Sequence, residues 1–273
     1  MVAVAERPAL DVACTLEPTR HAPLCRFTDL MKPSTLGPAM PDELPQRYHL
    51  GPAAALVRGR LGPRPDPRFS APLQTLGPAQ LGALVRLGRE AGVEDLQRFK
   101  RSAGLPRVRR VLGALTALAP ADLLDVGSGR GAFLWPLLEA LPVLRVTAIE
   151  RSEGRLRPLA DVRRGGLERL SPLRMDATAL GLADRSFDVV TLLEVLEHLT
   201  DPGAAAREAL RVARRAVVVS VPSRPDDNPE HLTLFDGPSL AALFAPHAVR
   251  VDHVLNHLIA VVPLRPDQLE VSP

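Results

Sequence analysis

The densest chemistry in the sequence lies at Asp125-Val-Gly-Ser-Gly-Arg-Gly131, where a short apolar run, Leu123-Leu124, enters three closely spaced glycines. Gly127 and Gly129 permit backbone dihedrals that other residues avoid, and they let a ligand approach the main chain closely. Ser128 and Gly131 belong to the same turn, and the helix expected after it offers free amides to a ligand carboxylate or phosphate. A plain strand-to-helix turn needs one glycine rather than three. Gly127-x-Gly-x-x-Ala132 also satisfies the dinucleotide fingerprint, so nicotinamide and flavin chemistry competes here. Asp125 argues against a pyrophosphate, which its carboxylate would repel, and in favour of a cationic sulfonium or ammonium ligand. Glu150 closes the next strand, where a carboxylate can accept hydrogen bonds from both hydroxyls of a ribose, and Asp176 follows the third strand. Beyond Tyr48 and Lys100 the chain has no tyrosine and no lysine, so a Tyr–Lys pair for hydride chemistry is absent from this region.

A second constellation, Glu194-Val-Leu-Glu-His198, falls at the end of the fourth strand. If the chain is helical from Glu194 onward, Glu194, Glu197 and His198 stand at i, i+3 and i+4 on one face. Such a face can orient a general base or bind a divalent ion. His231, in the loop after the fifth strand, is a further candidate. His198 and His231 are the expected catalytic pair of a metal-free site; Glu194, Glu197, His198 and His231 form the alternative metal set. Equally, Glu197 and His198 could simply support the start of a helix. His253 and His257 are expected on the surface of a terminal hairpin. No cysteine follows Cys25, which excludes covalent catalysis by a thiol in this part of the chain. Arginines at 107–110 and 163–164 could face an anionic substrate, although solvated helix faces carry such clusters routinely.

Around these residues the chain alternates between short β-type runs and helical runs. Strands are expected at 123–126, 145–149, 169–175, 187–193, 216–221, 249–254 and 258–262, with helices at 132–141, 153–162, 203–214 and 239–244. That alternation predicts a mostly parallel sheet covered on both faces. The gap around Asn256 is too short for a parallel crossover, so the last two strands form an antiparallel hairpin at one edge. Helical spacing extends from Ala79 to about Leu118, where Pro120 stops it. Residues 1–78 are proline-rich, with Arg60-Leu-Gly-Pro-Arg-Pro-Asp-Pro67 as an extended linker, and short helices and coil are expected there. The resulting division is a Pro-rich extension (1–78), a helical lead-in (79–118), an α/β domain (119–265) and a tail (266–273).

Over about residues 105–262 the sequence resembles the class I S-adenosylmethionine-dependent methyltransferases. The likeness is carried by the glycine turn, Glu150, Met175-Asp-Ala177, and the segment from Arg185-Ser-Phe-Asp188 through Glu194-Val-Leu-Glu-His-Leu199. It implies a Rossmann-like three-layer sandwich with a seven-stranded sheet in the order 3-2-1-4-5-7-6 and the last strand antiparallel. It also implies S-adenosylmethionine as cofactor, with its methionine portion on the glycine turn (Asp125, Gly127, Ser128, Gly129, Gly131), its ribose on Glu150 and its adenine by Asp176 and Ala177, Glu194 completing the set. Many small-molecule methyltransferases, including those of quinone biosynthesis, carry a similar Glu-x-x-Glu-His. So do small-RNA 3′-terminal 2′-O-methyltransferases, which add a later histidine to complete a metal site. Here the aromatic residues around that histidine are only partly present, as Leu234-Phe235-Asp236, which favours a small-molecule or other non-RNA acceptor. RNA stays the alternative, and a cofactor-binding module without catalysis is the third. Transfer from a sulfonium is a displacement, so positioning could suffice without a dedicated base.

Bulk properties set the outer limits. The chain has 273 residues, 46% hydrophobic and 24% charged, which suits a globular protein rather than a disordered one. Lys32 and Lys100 are its only lysines, and a net charge of +3 does not argue for nucleic acid; aromatics at 3% offer no stacking surface for RNA. Cys14 and Cys25 cannot staple a chain of this size, and with His21 between them they read as unpaired thiols of a reducing, cytoplasmic compartment rather than a zinc site. No signal peptide is indicated, and no apolar run approaches the roughly 18 residues of a membrane span.

Overall fold

The computed structural model describes residues 44–62 and 70–264. Cys14, His21, Cys25 and the tail 266–273 lie outside them. Among the described residues, a four-residue helical turn at Leu44–Arg47 and three longer helices precede the sheet: α1 (Leu50–Leu61), α2 (Pro78–Glu90) and α3 (Pro106–Leu118). The α/β alternation then runs β1 (Asp122–Val126), α4 (Leu134–Ala140), β2 (Arg145–Ile149), α5 (Glu153–Arg164), β3 (Leu170–Leu173), β4 (Phe187–Leu193), α6 (Pro202–Val212), β5 (Ala213–Pro222), α7 (Gly237–Ala242), β6 (Arg250–Val254) and β7 (His257–Pro263).

The seven strands form one sheet in the order β3-β2-β1-β4-β5-β7-β6. β1 to β5 pair in parallel, and β7 lies antiparallel to both β5 and β6. A parallel sheet covered on both faces requires strands that are apolar on both sides. β5 meets that requirement with Val217, Val218, Val219 and Val221 all fully buried. Each such valine contributes roughly 1.5–3 kcal/mol of burial. One core layer packs Leu56, Leu84, Leu115, Leu134 and Leu159 of α1 to α5 against the sheet, and the other packs Ala205, Ala209, Leu240 and Phe244 from the α6–α7 side. The fold class and strand order are those the sequence implied.

Several boundaries differ for local reasons. The third strand is Leu170–Leu173 rather than 169–175: Arg169 turns its guanidinium back to the carbonyls of Leu141 and Leu138. Pro172, which has no amide to donate, is tolerated because β3 is an edge strand. The helix expected through Arg214 stops at Val212, since Ala213 already pairs with Phe187 of β4.

The proline-rich stretch also holds more order than short helices and coil. Arg60 and Leu61, expected in an extended linker, form the last turn of the 12-residue helix α1. Between Pro52 and Pro63 the chain is free of proline and rich in alanine, and Pro52 sits in the first helical turn, where its missing amide costs nothing. Ala53 to Val57 are fully buried. A Cβ on Gly165, at the end of α5, would lie 1.8 Å from the Ala55 carbonyl oxygen, so glycine lets the two helices meet backbone to backbone. Arg60 ties α1 to α5 through Asp161 at 2.9 Å, and to the turn before Leu96 through Asp95 at 2.7 Å. Among the described residues no helix is long and apolar enough to cross a membrane.

Candidate active site

The carboxyl ends of β1, β2, β4 and β5 open on one edge of the sheet, where ligands of such folds bind. β1 leads into the glycine turn, and Gly127, Gly129 and Gly131 all take positive φ, at 72°, 56° and 78°. A Cβ on Gly127 would strike Val195 at 2.6 Å, and one on Gly131 would strike Trp135 at 2.3 Å. Around Gly129 there is space, so that residue is required by conformation alone. The helix after the turn starts at Leu134, two residues later than expected, so its free amides stand further from the glycines.

Glu150 is buried at the end of β2. Its Oε2 accepts from the Gly129 amide at 3.1 Å and its Oε1 from the Ser152 amide at 2.9 Å, which joins the second strand exit to the turn. Asp125 is buried below the turn, and its Oδ1 accepts from the Thr191 hydroxyl at 2.7 Å. Burial pushes the Asp125 carboxyl up to about 6, against the hydrogen bonds that favour its ionised form, and the nearby Glu150 adds to the rise. Asp176 stands at the third strand exit. It accepts from Thr178, whose hydrogen bonds hold its pKa low, and pairs at 3.9 Å with Arg151. Of the expected cofactor residues, Gly131, Glu150, Asp176 and Ala177 do not line the cavity described next.

That cavity, of about 350 Å³, is bounded by Asp125, the glycine turn from Gly127 to Arg130, Glu194, His198 and Ser220. Glu194 is not helical. It takes a left-handed conformation, with φ of 57°, as the chain leaves β4, and only Leu196–His198 forms a single 3-10 turn. The left-handed residue turns Glu194 toward β5 and β7, where Oε1 accepts from the Ser220 hydroxyl at 2.6 Å and Oε2 meets His257 Nε2 at 3.2 Å. Glu194 therefore does not share a helical face with Glu197 and His198.

The other three members of the alternative metal set do come together. The ligand atoms of Glu197, His198 and His231 all lie within 4.8 Å of one another. The two imidazole rings stand 4.8 Å apart. Glu197 is buried at 1% exposure, and among the described residues neither carboxylate oxygen has a hydrogen-bond partner. Burial above all, with Glu194 and Asp226 adding repulsion, pushes its pKa up to about 8. The Glu197 carbonyl accepts from the Leu232 and Thr233 amides and so anchors the loop that carries His231. His198 Nδ1 lies 2.9 Å from the Glu230 carbonyl and His231 Nδ1 2.8 Å from Asp226, so in each ring Nδ1–H is the donor and Nε2 is left as the acceptor.

Sequence reasoning passed over several residues of this site. Ser220 and Thr191 carry no motif; only their places at strand ends point to them. His257, expected on the surface, is half-buried against Glu194, because β7 runs antiparallel beside β5 and brings the start of β7 to the site's edge. Of the arginine clusters, Arg107 lines the cavity, Arg110 pairs instead with Asp252, and Arg163 and Arg164 turn to Leu170, Ser171, Asp161 and Gly59. The turn has a further support: fully buried His49 lies 2.7 Å from Glu139 and 3.3 Å from Ser102, whose hydroxyl donates to the Ala132 carbonyl at 2.5 Å.

Residues 124–220 match the family described as a methyltransferase domain. The chain is similar to a malonyl-[acyl-carrier protein] O-methyltransferase of Geobacter sulfurreducens, at 35% identity over 38% of this chain and 40% of that protein. It is also similar to the ubiquinone/menaquinone biosynthesis C-methyltransferase UbiE of Paracoccus denitrificans, at 32% identity over 50% and 58% respectively. The chain thus spans about half the length of the curated relatives it matches. Among solved structures, the methyltransferase domain of bacterial CtHen1-C superposes with a TM-score of 0.50 at 19% identity, covering 58% of this chain and 97% of that one, which is a likeness of fold. With the strand order and the three-glycine turn at the end of β1, the match over 124–220 identifies a class I, Rossmann-like S-adenosylmethionine-dependent methyltransferase domain in this chain.

Proposed function

We propose that the protein transfers the methyl group of S-adenosylmethionine to a small-molecule acceptor. The observation that carries this is the Glu150 carboxylate, fixed by the Gly129 and Ser152 amides beside a glycine turn that opens on a cavity. A carboxylate held in that way retains lone pairs for the two hydroxyls of a ribose. Asp125 and Glu194 set negative charge in the same cavity, which suits a sulfonium better than a pyrophosphate. The turn residues Gly127, Ser128, Gly129 and Gly131 would receive the methionine portion, with Asp176 and Ala177 toward the adenine. In the transfer the acceptor's electron pair forms the new bond to the methyl carbon as the carbon–sulfur bond breaks, and the sulfur keeps that pair as a neutral thioether. His198, which lines the cavity with Nε2 free to accept, would take any proton the acceptor must lose, with His231 beside it. Relatives named for malonyl-[acyl-carrier protein] and quinone substrates support a non-RNA acceptor. Calorimetry with S-adenosylhomocysteine tests the cofactor site: binding is expected in the wild type and lost in Gly129→Arg. Unchanged binding in that variant, or none in the wild type, overturns the assignment.

A second reading adds a divalent cation. It is favoured by the buried Glu197 carboxylate, which has no donor among the described residues and faces two imidazoles. Two histidines and one carboxylate suit zinc or manganese, and such an ion would polarise an acceptor oxygen. A thermal-shift titration decides. Stabilisation by Mn²⁺ or Zn²⁺ that vanishes in Glu197→Gln supports the metal, and equal response of the two proteins refutes it.

A further inference from the structure

The cavity has walls of opposite charge. Asp125 and Glu194 stand on the strand side, and Arg107, Arg130 and Arg155 approach from α3, the glycine turn and α5. The acids are already engaged, Asp125 by Thr191 and Glu194 by Ser220 and His257. The three guanidiniums are not: among the described residues none of them has a hydrogen-bonding or ion-pairing partner for its side chain. Arg110, on the same helix as Arg107, shows the contrast, since it is spent on Asp252. Arg107 is half-buried and Arg130 and Arg155 are exposed, so together they give the concave site a positive field that favours an anionic ligand group.

The methyl donor does not supply enough of it. S-adenosylmethionine carries one carboxylate against an ammonium and a sulfonium, so its arrival makes the cavity more positive. With the methionine portion on the glycine turn, as proposed above, Arg130 in that turn would meet the donor carboxylate. Arg107 and Arg155 remain. Beside them Val108 and Val111 of α3, with Phe133 and Leu193, give the cavity an apolar wall. We infer, on the donor reading proposed above, that the methyl acceptor is an anionic amphiphile whose carboxylate or phosphate is held by Arg107 and Arg155 while its apolar body lies against Val108, Val111 and Phe133.

Three probes differing only in the head group test this: octanoate, octyl phosphate and octanamide, titrated calorimetrically into protein saturated with S-adenosylhomocysteine. At least one of the two anions is expected to bind about tenfold or more tightly than the amide, and the tighter of them names the head group. Arg107→Gln and Arg155→Gln should each weaken that anion about tenfold, whereas Arg109→Gln, exposed on α3 and outside the cavity, should not. Octanamide binding as well as the anions, no binding of either anion, or anion binding unchanged in the two variants would each overturn the inference. So would a variant that weakens S-adenosylhomocysteine but not the anion, which would assign its arginine to the donor. Failure of S-adenosylhomocysteine to bind the wild type strikes the cofactor reading instead, so the two failures are distinguishable.

Discussion

Lowering the pH from 7 to 5 should weaken S-adenosylmethionine far more than S-adenosylhomocysteine. The two ligands share ribose, adenine, ammonium and carboxylate and differ at sulfur, which is cationic in the first and neutral in the second. Asp125 is the buried carboxylate beneath the turn, with its pKa pushed up to about 6. Such a group is about 90% ionised at pH 7 and about 10% ionised at pH 5. If the sulfonium binds only the ionised form, its affinity drops about ninefold over that interval, or about 1.3 kcal/mol. Titration of every group common to the two ligands cancels in the ratio of their affinities, as does titration elsewhere in the protein that affects both alike. The assay is calorimetry with each ligand at half-unit steps of pH, with Asp125→Asn alongside. In that variant the ratio should be flat with pH and the preference for the sulfonium reduced. A wild-type ratio that does not change between pH 7 and 5, or an Asn variant that tracks the wild type, refutes the electrostatic account of donor choice.

The same carboxyl governs a stability effect of the opposite kind. Because its folded pKa is raised, Asp125 stabilises the fold fully below pH 3.8, and this is lost as pH rises through about 6. Asp125→Asn keeps an acceptor for Thr191 and removes the buried charge; at pH 8 it should raise unfolding free energy by about 3 kcal/mol in urea titrations, and at pH 4 by far less. Gly165→Ala drives a methyl into the Ala55 carbonyl and should lower stability by roughly 1–3 kcal/mol in the same titrations; wild-type stability would show that α1 and α5 can part without cost. His49→Ala strips a partner from buried Ser102 and from Glu139, which should cost about 1–3 kcal/mol and weaken S-adenosylhomocysteine binding through the loosened Ala132 segment. Unaltered affinity at reduced stability would limit His49 to a packing role.

Much of the fold was legible because its signals are local and periodic. The β2 and β4 spans matched the expected residues, since each is an apolar run bounded by a charge or a turn, and the hairpin at Asn256 followed from loop length alone. The site was legible where it depends on strand ends: Asp125, Glu150 and Glu194 fall on one sheet edge once the alternation is recognised. It was illegible where it depends on a single dihedral or on distant pairing. Nothing in Glu194-Val-Leu-Glu-His198 announces that Glu194 turns left-handed, and that one φ value sends its carboxylate to Ser220 and His257 instead of to Glu197. The His49–Ser102–Ala132 link joins segments that no periodicity connects. Proline content misled in the opposite direction, because ten proline-free, alanine-rich residues suffice for α1 within an otherwise proline-punctuated stretch.

The division of charge along this edge of the sheet follows from which elements build it. Parallel strands deliver residues one at a time to a shared edge, and acids placed there, Asp125, Glu150 and Glu194, are held by neighbouring amides and hydroxyls with little freedom to move. That rigidity suits a donor whose cationic centre must be kept in one place for displacement. The arginines come instead from helices and from the turn, on long side chains that no described residue restrains, so they can follow acceptors of differing length. A fixed acidic floor and an adjustable basic wall would select the donor by charge at sulfur and the acceptor by charge at its far end. On that view, exchanging Arg107 and Arg155 changes which acceptors are methylated while the affinity for S-adenosylhomocysteine stays set by the strand-end acids and the glycine turn.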